Sequence, residues 1–258
     1  MRALITGGAK RIGREMALYL ARRGADVAVH YSSSAADAEE TAAAVRALGR
    51  RCALVQADLL DEDALDSVVP AAVAGLGGPL TVLINNASIF EYDTIQTATR
   101  ESWNRSVGSN LRAPFVLMQA FAAQAPGALP DANGEPLAQA MVLNMIDQRV
   151  WKPTPEFMTY TLAKMGLWAL TQTAAQALAP HIRVNAIGPG PTVQGERQSA
   201  DHFNRQRAAT ILQRGAGPVD ICAALGFFLD SPAVTGQMIA VDGGQHLAWL
   251  TPDVLGVE

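Results

Sequence analysis

Short apolar runs of strand length alternate with longer segments of helical composition along the whole chain. Runs rich in Ala, Val, Leu and Ile predict seven strands, at 3–6, 26–31, 52–57, 80–84, 141–146, 183–187 and 237–241. The intervening segments predict helices at 14–23, 36–48, 62–74, 99–125, 155–179 and 218–230. Because unbroken apolar strands alternate with helices, the pattern predicts one doubly wound parallel sheet with helices on both faces.

Three segments between the predicted elements need separate treatment. Residues 124–139 are polar and contain proline and glycine, which predicts a loop without a domain boundary. Trp151 follows the fifth strand, where it either lines a pocket or packs at the surface. Residues 193–207 are polar and irregular, as in a mobile lid over a substrate or in a solvated surface helix without a role. We expect one domain over 1–258, with a substrate loop around 190–215.

Composition and charge exclude several functional classes. The 258 residues carry a net charge of -4 without a basic pattern, so nucleic-acid binding is not expected. No signal peptide or long apolar segment is apparent, which predicts a cytoplasmic protein without membrane association. Cys52 and Cys222 lie far apart in apolar stretches and are interpreted as reduced core residues. The four histidines are scattered, so no metal site is expected.

A glycine-rich turn connects the first predicted strand to the first helix. It contains Gly7, Gly8 and Gly13 in the sequence TGGAKRIG. Glycine lets the backbone approach a pyrophosphate, and the start of a helix offers free amides and a positive dipole. The turn therefore predicts a phosphate-binding loop; the alternative is a turn that merely packs a helix on the sheet.

The end of the second strand indicates which dinucleotide binds. A site that prefers NAD usually carries an acid there to hold the ribose hydroxyls, and this chain has none. Ser32, Ser33 and His30, together with the cations Lys10 and Arg11, would suit a 2′-phosphate. The predicted cofactor is therefore NADPH. The alternative role for this serine run is to supply the N-cap of the next helix.

Three ionisable residues form a candidate catalytic group. Tyr160 and Lys164 are four apart on a predicted helix, so they share one face. The ammonium would lower the pKa of the phenol toward working pH, as a general acid requires. Asp147 ends the preceding strand, at the sheet edge where ligands bind in parallel α/β folds. The alternatives are a solvated Tyr–Lys pair and an aspartate that only caps a turn.

Together these motifs resemble the short-chain dehydrogenase/reductase family. The matching features, in order and spacing, are TGGAKRIG at 6–13, Asp58, NNAS at 85–88, Asn110 in VGSNLRAPF, Tyr160-x-x-x-Lys164, Gly188-Pro189-Gly190 and VDGG at 241–244. The resemblance covers nearly the whole chain and implies a single-domain, Rossmann-like fold. It also implies that Asn110 anchors a water for proton resupply and that Lys164 holds the nicotinamide ribose.

The resemblance extends to the residues around the cofactor. Those expected to contact NADPH are Gly7, Lys10, Arg11, Ile12, His30, Tyr31, Ser32, Ser33, Asp58, Leu59, Asn86, Ala87, Ser88, Tyr160, Lys164, Pro189 and Gly190. The residues expected to be catalytic are Asp147, Tyr160, Lys164 and Asn110. Nothing in the chain suggests that these residues share the site with a metal ion.

Three features resemble the pteridine reductase and dihydromonapterin reductase branch of that family. Arg11 stands where a glycine is usual, NNAS is followed by Phe90, and Asp147 replaces the usual serine. The resemblance implies that Phe90 stacks on a pterin ring opposite the nicotinamide and that Arg11 reaches cofactor phosphate and substrate. Ser88 would line the same pocket, with Asp147 and Tyr160. The alternative for Phe90 is a hydrophobic plug behind the fourth strand.

Asp147 bears on the type of reaction. An ionised carboxylate would repel the alkoxide that develops when a ketone is reduced in a dry site. A C=N bond instead needs a proton on nitrogen as the neighbouring carbon takes hydride, and a carboxyl hydrogen-bonded to Tyr160 can relay one. If burial protonates Asp147, it could donate a hydrogen bond as serine does, which keeps carbonyl substrates open.

We therefore expect an NADPH-dependent reductase of dihydromonapterin, giving tetrahydromonapterin, or of dihydrobiopterin or dihydrofolate, acting on a C=N bond of the pteridine ring. The first alternative is a carbonyl or alcohol oxidoreductase such as a 3-oxoacyl thioester reductase. The second is a non-enzymatic NADP-binding regulatory protein, against which Asn110, Tyr160 and Lys164 argue together. No pattern in 193–207 defines the pterin side chain.

The predicted helix at 155–179 also bears on assembly. It carries Met165, Leu167, Trp168 and Leu170, which extend its apolar surface beyond one face. Additional burial of this kind predicts a subunit interface. The family resemblance implies that the assembly is a homotetramer.

Overall fold

The apolar runs form the strands of one central sheet in the computed structural model, which describes residues 1–195 and 198–249. The strands of the chain are β1 (Arg2–Ile5), β2 (Asp26–Tyr31), β3 (Cys52–Gln56), β4 (Val82–Asn85), β5 (Leu129–Pro130), β6 (Pro136–Leu137), β7 (Ala140–Met145), β8 (Ile182–Pro189) and β9 (Met238–Val241). Seven of them form a parallel sheet in the order β3-β2-β1-β4-β7-β8-β9. The predicted doubly wound parallel sheet is confirmed.

Helices cover both faces of this sheet. They are α1 (Arg11–Arg22), α2 (Ala35–Ala47), α3 (Glu62–Leu76), α4 (Arg100–Val107), α5 (Ala113–Gln124), α6 (Met158–Leu178), α7 (Ala200–Ala208) and α8 (Pro218–Asp230). Successive strand side chains point to opposite faces, so Ile5 packs in the core under α1, α2 and α8, whereas Leu4 packs under α3, α5 and α6. In the described part of the chain, no helix is long and apolar enough to cross a bilayer.

The predicted helix at 99–125 is interrupted. Thr99 caps α4, since its Oγ1 accepts a hydrogen bond of 3.0 Å from the Ser102 amide. A π-helical turn, Gly108–Arg112, then separates α4 from α5. Pro114 has no N–H to donate to the Asn110 carbonyl four residues earlier. Separately, the Asn110 side chain donates to the Ser106 carbonyl at 3.0 Å. A side-chain hydrogen bond to a helix carbonyl therefore accompanies the break in the regular backbone hydrogen bonding at this turn.

The segment at 124–139 is more ordered than a loop. Within it, β5 and β6 pair antiparallel. Asp131 closes the turn between them, because its Oδ1 accepts hydrogen bonds from the Asn133 amide at 2.7 Å and the Glu135 amide at 2.9 Å. The prediction missed this hairpin because its strands are only two residues long; no domain boundary lies there, as expected.

The boundaries of the elements near the sheet edge also differ from the prediction. Helix α1 begins at Arg11, three residues before the predicted start, and α6 begins at Met158 because Phe157 adopts a left-handed φ of 55°. Strand β8 continues to Pro189. Much of 193–207 is helix α7, which has no buried residue in the described structure and is capped by Ser199. Residues 196–197 of that segment lie outside the described residues.

Candidate active site

A cavity of about 330 Å³ opens at the edge where the parallel strands end. It lies between the β1–α1 turn and the segments that follow β4, β7 and β8. Of the predicted site residues, its wall contains Arg11, Ile12, Asn86, Ser88, Phe90, Asp147, Tyr160, Lys164, Pro189 and Gly190. The fold thus assembles residues from distant parts of the chain into one pocket of the size that a small ring system needs.

Tyr160, which is buried, and Asp147, which is half-buried, form a hydrogen-bonded pair at the base of the cavity. The phenol donates to Asp147 Oδ2 at 3.0 Å, and the Arg149 amide donates to Oδ1 at 2.8 Å. Burial raises the pKa of the carboxyl and raises the pKa of Tyr160 well above its ordinary value, with the Asp147 charge adding to the effect on Tyr160. The phenol is therefore protonated at neutral pH, with its proton directed at a carboxylate.

Lys164 does not act on Tyr160 as the sequence suggested. Its ammonium donates to the Met145 carbonyl at 2.8 Å and lies 5.6 Å from the centroid of the Tyr160 ring. Burial lowers the pKa of Lys164 to about 8, which Asp147 partly offsets. The expected lowering of the Tyr160 pKa by Lys164 is wrong, because burial and Asp147 dominate and raise it; the groups that oppose them are Arg149 and Ser88.

Phe90 lies in an aromatic wall beside Tyr160. Its ring is 47% exposed, which excludes a buried plug behind β4. It stacks on Phe157 with centroids 4.2 Å apart and meets Tyr160 edge-on at 4.7 Å. Sequence reasoning missed Phe157 because it was assigned to a regular helix; its left-handed φ of 55° marks the turn at which that helix begins.

Asn110 holds the polypeptide that carries Ser88 and Phe90. Its carboxamide donates to the Ile89 carbonyl at 2.9 Å and to the Ser106 carbonyl at 3.0 Å, and it accepts from the Ile89 amide at 3.3 Å. The π-helical turn directs this side chain out of the helix. Asn110 thereby positions the segment after β4, and its role toward a water remains a prediction.

The glycine turn between β1 and α1 forms a cradle whose backbone a ligand can approach closely. Gly7 has a φ of 60°, and Asn86 Nδ2 donates to its carbonyl at 3.1 Å. A Cβ at Gly13 would lie 2.1 Å from that carbonyl oxygen, so only glycine fits there. The start of α1 is consequently packed tightly against the turn, an arrangement that suits the backbone of a phosphate-binding loop.

His30 supports this turn from below. The Gly7 amide donates to His30 Nδ1 at 3.1 Å, and Nε2 pairs with the Ala57 carbonyl at 3.1 Å. Burial lowers the His30 pKa to about 4, so the ring is neutral. The expectation that His30 contacts a 2′-phosphate is not met, because both ring nitrogens are engaged in holding the cradle.

Five of the remaining predicted cofactor residues lie at the ends of β2 and β3. Ser32 and Ser33 are exposed, as is Asp58, whose Oδ1 accepts from the Leu60 amide at 3.0 Å. Tyr31 is half-buried and Leu59 is buried. Ala87 follows β4, and its amide donates at 3.0 Å to Oγ1 of Thr6, the residue directly after β1. Ser34 is the N-cap residue of α2 but makes no side-chain capping bond. The hydroxyls of this serine run are not used by the helix.

Arg11 connects the glycine turn to the segment after β8. It has a left-handed φ of 56°, at the position where a glycine is usual in the resembling family. Its guanidinium donates to the Val193 carbonyl at 3.1 Å and to the Gln194 carbonyl at 2.9 Å. The side chain thus closes one side of the cavity.

Two further predictions concern Trp151 and a metal site. Trp151 is 43% exposed, packs 5.2 Å from the His246 ring and is not part of the cavity wall, so it is a surface residue. Within residues 1–195 and 198–249, no group of three His, Cys, Asp or Glu side chains is placed to hold a metal ion.

Comparisons with known proteins extend over almost the whole chain. The family described as "Enoyl-(Acyl carrier protein) reductase" matches residues 7–246. A 3-oxoacyl-(acyl-carrier-protein) reductase of Staphylococcus aureus is 30% identical over 250 residues, which are 95% of this chain and 98% of that protein.

Solved structures with the same architecture include two from Brucella. FolM alternative dihydrofolate reductase 1 of Brucella canis, complexed with NADP, is 39% identical with a TM-score of 0.89 and covers 99% of this chain and 98% of that chain. The protein of the same name from Brucella suis, also with NADP, is 40% identical with a TM-score of 0.90 and covers 98% of each chain.

Proposed function

The chain belongs to the short-chain dehydrogenase/reductase family, and on that premise we propose that it is an NADPH-dependent reductase of dihydropterins. The observation that carries the proposal is the 3.0 Å hydrogen bond from Tyr160 to Asp147 at the base of the cavity. A carboxylate beside the phenol suits protonation of a ring nitrogen better than stabilisation of an alkoxide. The two Brucella alternative dihydrofolate reductases support the same substrate class.

The cradle fits the phosphates of a dinucleotide. The residues that would hold it are the tight glycines of the β1–α1 turn, Arg11, and the free hydroxyls of Ser32 and Ser33 at an acid-free strand end. Lys164 would face the nicotinamide ribose. When bound, reduced nicotinamide supplies a hydride. The Brucella structures complexed with NADP support the choice of NADP over NAD.

The protein's own contribution is to hold and deliver a proton. Tyr160 keeps its proton at neutral pH, and its hydrogen bond to Asp147 lets the pair exchange protons as one unit. The raised pKa of Asp147 moves this carboxyl toward working pH, as a proton donor requires. We infer that the pair delivers the proton to the ring nitrogen, with Phe90 supporting the ring from the side.

A second candidate is a carbonyl reductase, such as a 3-oxoacyl thioester reductase. The Staphylococcus aureus relative supports it, and so does the raised pKa of Asp147, because a protonated carboxyl could donate to a carbonyl oxygen. A non-enzymatic role is disfavoured, since a reductase family is matched and Tyr160 and Lys164 both line the cavity.

The replacement Asp147→Ser tests the role of the carboxyl. We expect turnover of dihydrobiopterin to fall by about 100-fold, the usual size of a general acid–base contribution, while the KM for NADPH changes little. Trp151→Phe, outside the cavity wall, is the matched control. Unchanged pterin turnover in the serine variant would contradict the proton-delivery role.

The proposal includes three features of the protein beyond its chemistry. The segment around 190–215 would be the substrate loop, because Val193 and Gln194 are bound to Arg11 at the cavity. A homotetramer would cover the exposed apolar residues of α4, α5 and α6. A cytoplasmic location would suit the free thiols of Cys52 and Cys222.

A further inference from the structure

The cavity wall contains a cation that the proposed reaction does not use. Arg149 lies in the short 3₁₀ turn Gln148–Val150 directly after β7. Its backbone amide is fixed to Asp147, so the turn has a defined position relative to the reacting pair. Its guanidinium lies 5.2 Å from the centroid of the Phe157 ring, and Nη1 donates to the Thr154 hydroxyl. The Nε atom is buried and has no hydrogen-bond partner.

The Arg149 guanidinium has no carboxylate as a direct ion-pair partner in the described part of the chain. There, the charged residues of the cavity wall are Arg11, Asp147, Arg149 and Lys164, and the charges of Asp147 and Arg149 act on each other. Both oxygens of Asp147 already accept hydrogen bonds, from Tyr160 and from the Arg149 backbone. Among residues 1–195 and 198–249, no carboxylate forms an ion pair with the Arg149 guanidinium. The buried Nε cannot reach a ligand, but Nη2 makes no hydrogen bond to the described residues and Nη1 uses only one of its N–H groups, toward Thr154. The two Nη atoms of this half-buried guanidinium can therefore bind a carboxylate through paired N–H groups.

Arg149 lies at the far end of an aromatic wall that begins at Tyr160. Contacts run from Tyr160 to Phe90 at 4.7 Å, from Phe90 to Phe157 at 4.2 Å and from Phe157 to Arg149 at 5.2 Å. A pterin that takes its proton from the Tyr160 pair would lie at the first end of this aromatic wall. A substituent directed away from Tyr160 would then pass along the wall toward the guanidinium.

We propose that Arg149 selects substrates whose side chain ends in a carboxylate, so that a folate-type dihydropterin is preferred over one with a neutral polyol side chain. This inference rests on the proposed pterin reductase function and specifies its substrate. The aromatic wall suits the benzoyl group of such a side chain, and the guanidinium suits its acidic end.

Binding of unreactive oxidised pterins tests this directly. Calorimetric titration in the presence of NADP⁺ would compare folic acid, its dimethyl ester and biopterin. The ester has the size and rings of folic acid without its charge. The variant Arg149→Met keeps a stem that can pack on Phe157, and Lys152→Met removes a nearby cation that is bonded to the Gln245 carbonyl and is not in the cavity wall.

We expect Arg149→Met to weaken folic acid about tenfold, the size of a charge-assisted hydrogen bond, and to change the ester and biopterin less than twofold. Lys152→Met should leave all three unchanged. Raising the salt concentration should reduce the advantage of folic acid over its ester in the wild type and in Lys152→Met, but not in Arg149→Met.

Several results would overturn the inference. Equal weakening of all three ligands by Arg149→Met would mean that the arginine only supports the cavity; unchanged binding of folic acid would mean that it does not contact the side chain. In both cases biopterin binding by the wild type would leave the proposed function intact, whereas no binding of any pterin would reject both. Arg149→Gln, checked for folding by circular dichroism, serves if the methionine variant does not fold.

Discussion

Asp147 and Tyr160 determine how activity responds to pH, because the pair must hold a proton in order to deliver one. Burial raises the pKa of both side chains, so the proton is retained at a higher pH than an exposed carboxyl would allow. Reduction should therefore be fastest at lower pH and should decline as pH rises through the raised pKa of the carboxyl.

Asp147→Asn removes that titration while keeping the size of the side chain. The residual activity of this variant should lose the corresponding decline in a profile of kcat against pH. The wild type measured in the same buffers is the reference. Superimposable profiles would show that another group, such as Lys164 with its pKa of about 8, controls the response.

His30 makes a separate prediction, on stability. Its pKa is about 4 in the folded protein and near its ordinary value in the unfolded chain, so the unfolded state binds the proton more tightly. The stability that neutral His30 contributes is fully present above its pKa in the unfolded chain, about 6.5, and is lost as pH falls toward its pKa in the folded protein. The free energy of unfolding should fall by about 3 kcal/mol at most.

Urea unfolding of the wild type and His30→Gln at pH 7 and pH 4.5 isolates this contribution. The wild type should lose about 2 kcal/mol more than the variant between the two pH values, since glutamine does not titrate. Equal losses would mean that the buried imidazole does not determine this acid sensitivity.

The residues at the sheet edge show what the sequence could predict. Asp147, Tyr160 and Lys164 were recognisable because their types and spacing suit one reaction, and the structure places all three in one cavity wall. The direction of the Tyr160 pKa shift could not be predicted from the sequence, because burial and the Asp147 charge raise this pKa by more than nearby cations lower it. The role of His30 depends on hydrogen bonds across the fold, which spacing does not reveal. That of Arg149 depends on its position in the cavity wall, which only the folded chain shows.

At the scale of elements, the interruption between α4 and α5 is the feature with the greatest consequence for the site. The π-helical turn lets Asn110 satisfy both backbone groups of Ile89. A regular helix was predicted because the apolar period continues through the segment, and periodicity does not report a single residue that bulges. Pro114 was the one local signal.

Asn110→Ala should destabilise the protein by about 3 kcal/mol, because it leaves the Ile89 amide and carbonyl and the Ser106 carbonyl without their partner. It should also reduce kcat/KM for the pterin, since Phe90 and Ser88 lose their support. Urea unfolding checks the first effect. Asn104→Ala, on the exposed surface of α4, is the control; equal stability of the two variants would contradict the positioning role.

At the scale of the whole molecule, the alternation of apolar strands and helices was sufficient to predict the sheet, since a strand covered on both faces must be continuously apolar. Leu4 and Ile5, which pack in opposite cores, illustrate this requirement. The short β5–β6 hairpin was not predictable on that basis, because it is exposed and depends on the Asp131 turn.

The exposed apolar side chains of three helices predict the assembly. Of the residues from which the interface was predicted, only Met165 is exposed; Leu167 is buried in the core, and Trp168 and Leu170 pack against it. The exposed apolar residues are instead Trp103 on α4, Phe115 on α5, and Leu162 and Met165 on α6, each between 39% and 47% exposed. We expect a tetramer in light scattering at micromolar concentration, and Met165→Glu should shift it toward smaller species because a charge would be buried at the interface. A wild-type monomer under these conditions would contradict the proposed assembly.

The central claim concerns the substrate class, and one assay tests it most directly. NADPH oxidation by the purified protein would be followed with dihydrofolate, dihydrobiopterin and dihydromonapterin, beside a panel of ketones and a 3-oxoacyl thioester. We predict turnover with the dihydropterins and little with the carbonyl compounds, because the carboxylate left at Asp147 once the pair has delivered its proton opposes a developing alkoxide. Turnover confined to the carbonyl compounds would contradict this account and show that the pair donates to a carbonyl oxygen instead.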